Sequence, residues 1–212
     1  SGQDAKAAFW RIVQDDDKVD ATTRHGTPLA DALLRHDHIA MSLAPDVVVR
    51  CGGLPASKVL GERVAQWHVP VVAFDGCGPL SDPQRLITET IAGVPRVHAE
   101  MMGDPHFVLR WQEASALATR ARDEVFAAEP WCEPLVAALV VDIAHEFDVP
   151  LVIGSSLPVR HVEWWANERT SPVFSNRGVN GIDGVVSTLC GVASGGSAVG
   201  YVGDLTMLHD VS

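Results

Sequence analysis

Lysine is nearly absent from this 212-residue chain: only Lys6, Lys18 and Lys58 occur, and 16 Lys plus Arg stand against 27 Asp plus Glu, a formal charge of −11. A surface that grips nucleic acid needs clustered basic residues, so the balance argues against a nucleic-acid partner. A small anion needs only two or three well-placed arginines and stays admissible. Cysteine is sparse as well. Cys51, Cys77, Cys132 and Cys190 form no Cys-x-x-Cys pair, which speaks against a zinc knuckle or a thioredoxin-like dithiol and for reduced structural thiols. No apolar run approaches the roughly 18–20 residues that cross a bilayer, and the opening Ser1-Gly2-Gln3-Asp4 lacks a basic-then-apolar leader. The expectation is a soluble, cytoplasmic chain with no membrane span.

What is present is a globular composition, 47% hydrophobic and 20% charged, with 18 Gly and 13 Pro that favour many short connections over a helical bundle. Residues 1–45 read as loose helical segments, with Pro28 at a plausible helix start and Leu29, Leu33, Leu34 and Ile39 near helical spacing. Two strand-and-glycine units follow. Pro45-Asp46-Val47-Val48-Val49-Arg50 stops at Cys51-Gly52-Gly53, and Val69-Pro70-Val71-Val72-Ala73-Phe74 stops at Asp75-Gly76-Cys77-Gly78-Pro79. Uniform valine runs closed by glycine suit parallel strands buried on both faces. A helix is predicted over 57–67 and a long charged one over 111–129, and Pro130 then marks a domain boundary.

Beyond it a fresh β/α series begins, with strands at 149–153, 172–174 and 197–202 and helices over 131–147, from about 158, and over 182–193. No repeat of fixed period and no low-complexity tract interrupts it. The alternation predicts an α/β fold with a Rossmann-like parallel sheet in residues 1–130, followed by part of a second α/β domain in residues 131–212. In such sheets ligands sit at the carboxyl ends of strands. That singles out Arg50; Asp75 to Gly78; Ser155, Ser156 and Arg160; and the pair of Ser175-Asn176-Arg177-Gly178 with Gly203-Asp204.

Not every suggestive pattern carries chemistry. Gly76-x-Gly78-x-x-Ser81 imitates a dinucleotide fingerprint, but Pro79 and Pro83 interrupt the helix that should follow, and an ordinary glycine turn explains it better. His36-x-His38 has no second ligand cluster and suits a surface helix, and Asp15-Asp16-Asp17 suits a solvated acidic run. The segment from Ser175 to Gly184 holds three glycines and two asparagines in ten residues, which lets backbone amides approach an anion while Arg177 grips a carboxylate or phosphate. A bland tight turn is its alternative. Gly203-Asp204 puts a carboxylate at a strand end where magnesium and a diphosphate could meet.

Three blocks together carry a resemblance: Gly154-Ser155-Ser156-Leu157-Pro158-Val159-Arg160, Ser175-Asn176-Arg177-Gly178-Val179-Asn180-Gly181-Ile182-Asp183-Gly184, and Gly203-Asp204-Leu205-Thr206-Met207-Leu208-His209-Asp210. In order and spacing they resemble consecutive motifs of the MenD family, the thiamine-diphosphate-dependent 2-succinyl-5-enolpyruvyl-6-hydroxy-3-cyclohexene-1-carboxylate (SEPHCHC) synthases of menaquinone biosynthesis. The resemblance is specific over about 150–212 and general before that.

It implies that residues 1–130 are part of a middle domain and residues 131–212 the first part of the diphosphate-binding domain. It also implies a transferase that decarboxylates 2-oxoglutarate on thiamine diphosphate with Mg2+ and adds the resulting succinyl carbanion to isochorismate. Residue by residue, Asp204 would bind magnesium, with Gly203 and Leu205 beside the cofactor. Ser156, Arg160 and Arg177 would bind the isochorismate carboxylates, and Ile182 would prop the cofactor's bent conformation. The motif reads Gly-Asp-Leu where many relatives have Gly-Asp-Gly, its closing Asn would fall beyond Ser212, and the activating Glu belongs to another domain, so this segment alone is expected to be inactive. A homo-oligomer, dimer or tetramer, is implied for the parent enzyme.

Arg50, with Arg24 in a His-Gly-flanked loop, suggests an anion pocket for feedback by a downstream naphthoate, the alternative being solvent-facing or structurally paired arginines. Two other readings stay open: an acetolactate-synthase-like carboligase, and a free-standing Rossmann-like module that binds a small anion and catalyses nothing.

Overall fold

Four short strands, Ala7–Trp10 (β1), Val47–Cys51 (β2), Val71–Phe74 (β3) and Glu89–Ile91 (β4), pair in sequential order in a computed structural model, every pair parallel. The structure describes residues 7–10, 29–51, 57–77, 80–93, 104–129, 131–167, 171–176 and 181–210. The helices of this region are Ala30–Leu34 (α1), Asp37–Ser42 (α2) and Lys58–Trp67 (α3), followed by Pro105–Ala128 (α4). Their core joins Leu34, Ala40 and Leu43 to Val48, Trp67 and Val71, closed by Phe107 and Trp111 from the first turns of α4. The indole of Trp67 donates to the Ala40 carbonyl at 3.0 Å, which locks α3 to α2.

A buried carboxylate organises the same region. Asp31 on α1 is 3% exposed, pairs with Arg35 at 2.8 Å, and accepts the Ser57 hydroxyl at 2.5 Å. Ser57 in turn accepts from the Leu60 amide at 3.0 Å and so caps α3. One acid thus fixes the start of one helix from the flank of another. At the other edge, Gly76 and Gly93 meet backbone to backbone. The Gly76 amide donates to the Gly93 carbonyl at 3.1 Å, and the Gly93 amide donates to Asp75 at 2.8 Å.

The chain divides into two compact units between Ala121 and Arg122. Arg122 opens the second unit. Its buried guanidinium donates to the Trp165 carbonyl at 2.8 Å and to Asp123. Glu133–Glu146 (α5), Leu151–Ile153 (β5), Leu157–Trp165 (α6), Val173–Phe174 (β6), Val185–Val192 (α7), Val199–Tyr201 (β7) and Asp204–Asp210 (α8) follow. β5 is central and parallel to both neighbours, in the order β6-β5-β7.

Leu151 and Ile153 of β5 pack with Ala137, Val141 and Ala144 of α5 and with Val162 of α6. Alternation turns Val152 to the opposite face, which α7 covers. There Gly200 leaves the space that Leu189 of α7 fills: a Cβ on Gly200 would lie 2.4 Å from Leu189 Cδ2.

The α/β class and the parallel strands expected from the sequence are therefore present, with differences at particular residues. β1 and β4 went unforeseen, because Ala-Ala-Phe-Trp and Glu-Thr-Ile carry no valine run to announce a strand. The valine strands β2 and β3 mix buried with half-buried positions, in strict alternation in β3, instead of being buried throughout, as β5 is. α4 begins at Pro105, six residues before Trp111, since proline suits the first helical turn and Asp104 accepts from the His106 amide at 2.9 Å. α7 begins at Val185 and not at Ile182, because Gly184 takes the left-handed conformation (φ 73°) that ends the preceding turn. Pro28 and Pro130 lie outside the described residues. Cys51, Cys132 and Cys190 are free thiols. Among the described residues, no helix is long and apolar enough to cross a membrane.

Candidate functional site

Strand order decides where the second unit can hold a ligand. From β5 the chain crosses to β6 on one side, then passes back through α7 to β7 on the other. The crevice beyond the carboxyl ends of β5 and β7 is thus the switch point of the sheet, the usual ligand position in open α/β folds. Two of the three motif blocks begin there. The Gly154 amide donates to the Tyr201 carbonyl at 2.8 Å, and a Cβ on Gly154 would lie 3.3 Å from Val202 Cα. The loop Gly154-Ser155-Ser156 therefore runs directly beside Val202-Gly203-Asp204.

Three features mark the crevice chemically. The Ser155 hydroxyl oxygen is buried and finds no hydrogen-bond partner among the described residues, a costly state unless a ligand or water completes it. Ser156 stands at the N-cap position of α6, without a side-chain cap bond, at φ 74°, ψ −129°, a conformation that suits glycine and costs serine about 1–3 kcal/mol. Asp204 opens α8 on its exposed side, one oxygen accepting the Leu205 amide at 2.8 Å. Because the strain at Ser156 lies in the backbone, Ser156→Gly is expected to stabilise the protein by about 1 kcal/mol, read as a rise in melting temperature. A fall would show that the hydroxyl supports the fold.

The remaining block, residues 175–184, is joined to α8 by hydrogen bonds. Gly184 has no side chain with which to cap α7, and Asp210, at the end of α8, supplies the missing acceptor. One carboxylate oxygen accepts the Gly184 amide at 2.7 Å, and the other accepts those of Val186 at 2.6 Å and Ser187 at 3.1 Å. These bonds, that to Gly184 first, hold the Asp210 carboxyl below the usual carboxylate range against a smaller opposing effect of burial, and the nearby His209 adds to the lowering. His209 pairs with Asp183 at 3.2 Å. Asn176, at the end of β6, donates to the Thr188 hydroxyl at 3.1 Å and to the Gly184 carbonyl at 3.3 Å.

Of the residues expected from the sequence, Ser156, Gly203, Asp204 and Leu205 fall at the switch point, and Arg160 lies exposed one turn into α6. Ile182 is partly exposed, two residues before the capped start of α7. Arg177 and Arg24 lie outside the described residues. Arg50 is the penultimate residue of β2 in the first unit, where one guanidinium nitrogen donates to the Ser81 carbonyl at 2.6 Å.

Gly78 of the dinucleotide-like pattern is also outside the described residues. Asp75–Cys77 forms a single 3-10 turn, and Gly76 is spent on its contact with Gly93. His36 and His38 lie at the start of α2, their ring centroids 6.2 Å apart, and among the described residues no three His, Cys, Asp or Glu side chains are grouped to hold a metal. Sequence reasoning passed over Asn176, Thr188 and Asp210 as individual actors. Only a glycine at a helix start, Gly184, with no side chain to cap it, signals that a distant acceptor is needed.

The donor set at the crevice fits a magnesium diphosphate. Magnesium binds through one or two carboxylates and keeps its other positions for phosphate oxygens and water, so a single exposed Asp204 beside an unpaired hydroxyl suffices from this part of the site.

No family model matches the chain. Among curated proteins it is similar to the SEPHCHC synthase of Myxococcus xanthus, 36% identical over 193 residues, which are 85% of this chain and 33% of that protein. It is also similar to the synthase of the same name from Rubrobacter xylanophilus, 34% identical, with 98% of this chain and 39% of that protein covered. The Thermosynechococcus vestitus protein is 29% identical, at 96% and 37% coverage. The chain spans about a third of the length of these relatives.

Proposed function

Because this chain belongs to the SEPHCHC synthase family, we propose that it is part of a thiamine-diphosphate- and magnesium-dependent transferase of menaquinone biosynthesis, which joins a succinyl unit from 2-oxoglutarate to isochorismate. The observation that carries the reading is the convergence of the motif blocks at the switch point of the β6-β5-β7 sheet. In this reading residues 1–130 belong to the middle domain and residues 131–212 open the diphosphate-binding domain. With about a third of its relatives' length, the segment by itself is inactive. The whole enzyme works as a cytoplasmic homo-oligomer, a dimer or tetramer.

Bound at the crevice, thiamine diphosphate supplies the electron sink that both decarboxylation and carbon–carbon bond formation need. The work of this chain is then binding and orientation. Asp204 holds magnesium, and Ser155, Gly203 and Leu205 border the diphosphate. Ile182 would support the cofactor's conformation. Ser156, Arg160 and Arg177 hold the acceptor's carboxylates, and a guanidinium offers the planar paired hydrogen bonds that an ammonium lacks. Strain at Ser156 is consistent with a residue kept for its hydroxyl against the preference of its backbone.

The test is an assay of the full-length protein with magnesium, thiamine diphosphate, 2-oxoglutarate and isochorismate, run beside Arg160→Ala. The expected result is SEPHCHC formation, with a KM for isochorismate raised at least tenfold in the variant and 2-oxoglutarate decarboxylation little changed. Carboligation of pyruvate alone would assign the protein to the acetolactate-type enzymes instead. No thiamine-diphosphate-dependent turnover would leave the anion-binding module.

A further inference from the structure

α8 is a seven-residue helix with little to hold it. Of its residues only Thr206 is buried, while Leu205 and Leu208 are 68% and 64% exposed. A helix of this length does not persist without outside support. Besides the buried Thr206, support comes from its last two residues. Asp210 accepts three amides at the start of α7, the neighbouring His209 pairs with Asp183, and these anchor points lie one to five residues beyond Ile182.

The other end of α8 is Asp204, six residues away, or about 9 Å at helical rise. Asp210 and its acceptor bonds therefore join the segment that carries Ile182 to the helix that carries Asp204. Asn176, two residues beyond β6, ties Gly184 and Thr188 of α7 to the segment that leaves that strand.

The geometry points to Asp210 as a positioning residue for the magnesium diphosphate site: it fixes Asp204 relative to Ile182 by capping α7 from the far end of α8. This rests on the cofactor reading given above. Asp210 touches neither the metal nor the substrates. The carboxylate is held ionised by the amides it accepts, and so presents only acceptors to them. Asparagine, of the same shape, would turn an N–H2 group toward at least one of the three donors and lose that bond. The predicted defect is in cofactor affinity and in the order of α7, with the chemical step largely recovered when magnesium and thiamine diphosphate are in excess.

The experiment uses the full-length protein in three forms, wild type, Asp210→Asn and Ser171→Ala. Ser171 is buried in the same unit, where its hydroxyl donates to the Ala144 carbonyl at 3.0 Å, away from α7 and α8. It serves as a control for simple destabilisation. The readouts are the melting temperature of the apoenzyme, the Kd for thiamine diphosphate at fixed magnesium from tryptophan fluorescence, and hydrogen exchange at the amides of Gly184 to Ser187.

Asp210→Asn is expected to weaken cofactor binding at least tenfold and to speed exchange at those amides, while Ser171→Ala lowers the melting temperature and leaves Kd within twofold. Equal Kd in wild type and Asp210→Asn overturns the assignment, and so does an equal weakening in Ser171→Ala. Should Asp210→Asn not fold, exchange in the wild type decides: the cofactor must protect Gly184 to Ser187 more than the amides of α5, and equal protection overturns the assignment. A wild type that binds no thiamine diphosphate overturns the cofactor reading itself, a result distinct from a wild type that binds and a variant that binds as well.

Discussion

Asp204→Asn in the full-length protein is expected to lower the rate of SEPHCHC formation by about 10³-fold, the size of effect seen when one charged or donor group is removed from a preorganised site. The substitution is almost silent for the fold. Asparagine keeps an oxygen to accept the Leu205 amide that Asp204 accepts at 2.8 Å, and α8 keeps its buried anchor at Thr206. What changes is charge. A hard divalent ion shared with a diphosphate takes one or two protein carboxylates, and replacing one by a neutral amide removes attraction where few other ligands can compensate. The comparison is made at saturating thiamine diphosphate over a range of magnesium concentrations, with the melting temperature of the apoenzyme measured alongside. An unchanged melting temperature with activity lost and partly restored by high magnesium is the expected pattern. A rate within threefold of wild type at all magnesium concentrations would remove Asp204 from the metal site.

Gly76→Ala should produce the largest loss of stability in the first unit. A Cβ on Gly76 would sit 2.5 Å from the carbonyl carbon of Gly93, 2.7 Å from its Cα and 2.8 Å from its oxygen. All three are backbone atoms, so no side chain can swing away, and the strand end must separate. That movement breaks the Gly76 amide bond to Gly93 and pulls on the Asp75 bond to the Gly93 amide. Overpacking against backbone together with the lost hydrogen bond gives about 3 kcal/mol, which lowers the melting temperature by about 10–20 °C in a unit of this size. Gly93→Ala is the internal comparison. Its φ of 91° strains an alanine, but nothing lies within 4 Å of the added carbon, so the expected loss is nearer 1 kcal/mol. Thermal unfolding by circular dichroism measures both. Equal, small effects would mean that β3 and β4 do not close on each other through these glycines.

The two glycines show why legibility was uneven. Gly76 stood out in the sequence as part of a nucleotide-like pattern, and the turn it forms was foreseen. Its true constraint, a contact with Gly93 just beyond the next strand, has no local signature. Asp31 presents the same difficulty. In the sequence it is one acid in a helix, yet the fold buries it and makes it accept from Ser57, 26 positions later. Ser156 was marked as a site residue by resemblance, whereas its strained backbone could not be read from Gly-Ser-Ser-Leu-Pro. Asp210 sits within a motif block that does not disclose its role, because the amides it caps are 23 to 26 residues away.

By itself the sequence determined the class of the protein. Valine runs closed by glycines set strands, prolines and capping residues set where helices begin, the acidic balance turned the reading from polyanions, and three motif blocks indicated the family. All of these are short-range properties of side-chain periodicity, turn chemistry and charge. Only the tertiary structure decided that β5 lies between β6 and β7, so that a switch point opens beside Ser155, Ser156 and Asp204. It alone decided that Asp210 reaches back to α7. The physical reason is that strand order and distant caps follow from which apolar faces and unpaired amides can be satisfied together, a condition on the whole unit that no window of sequence contains.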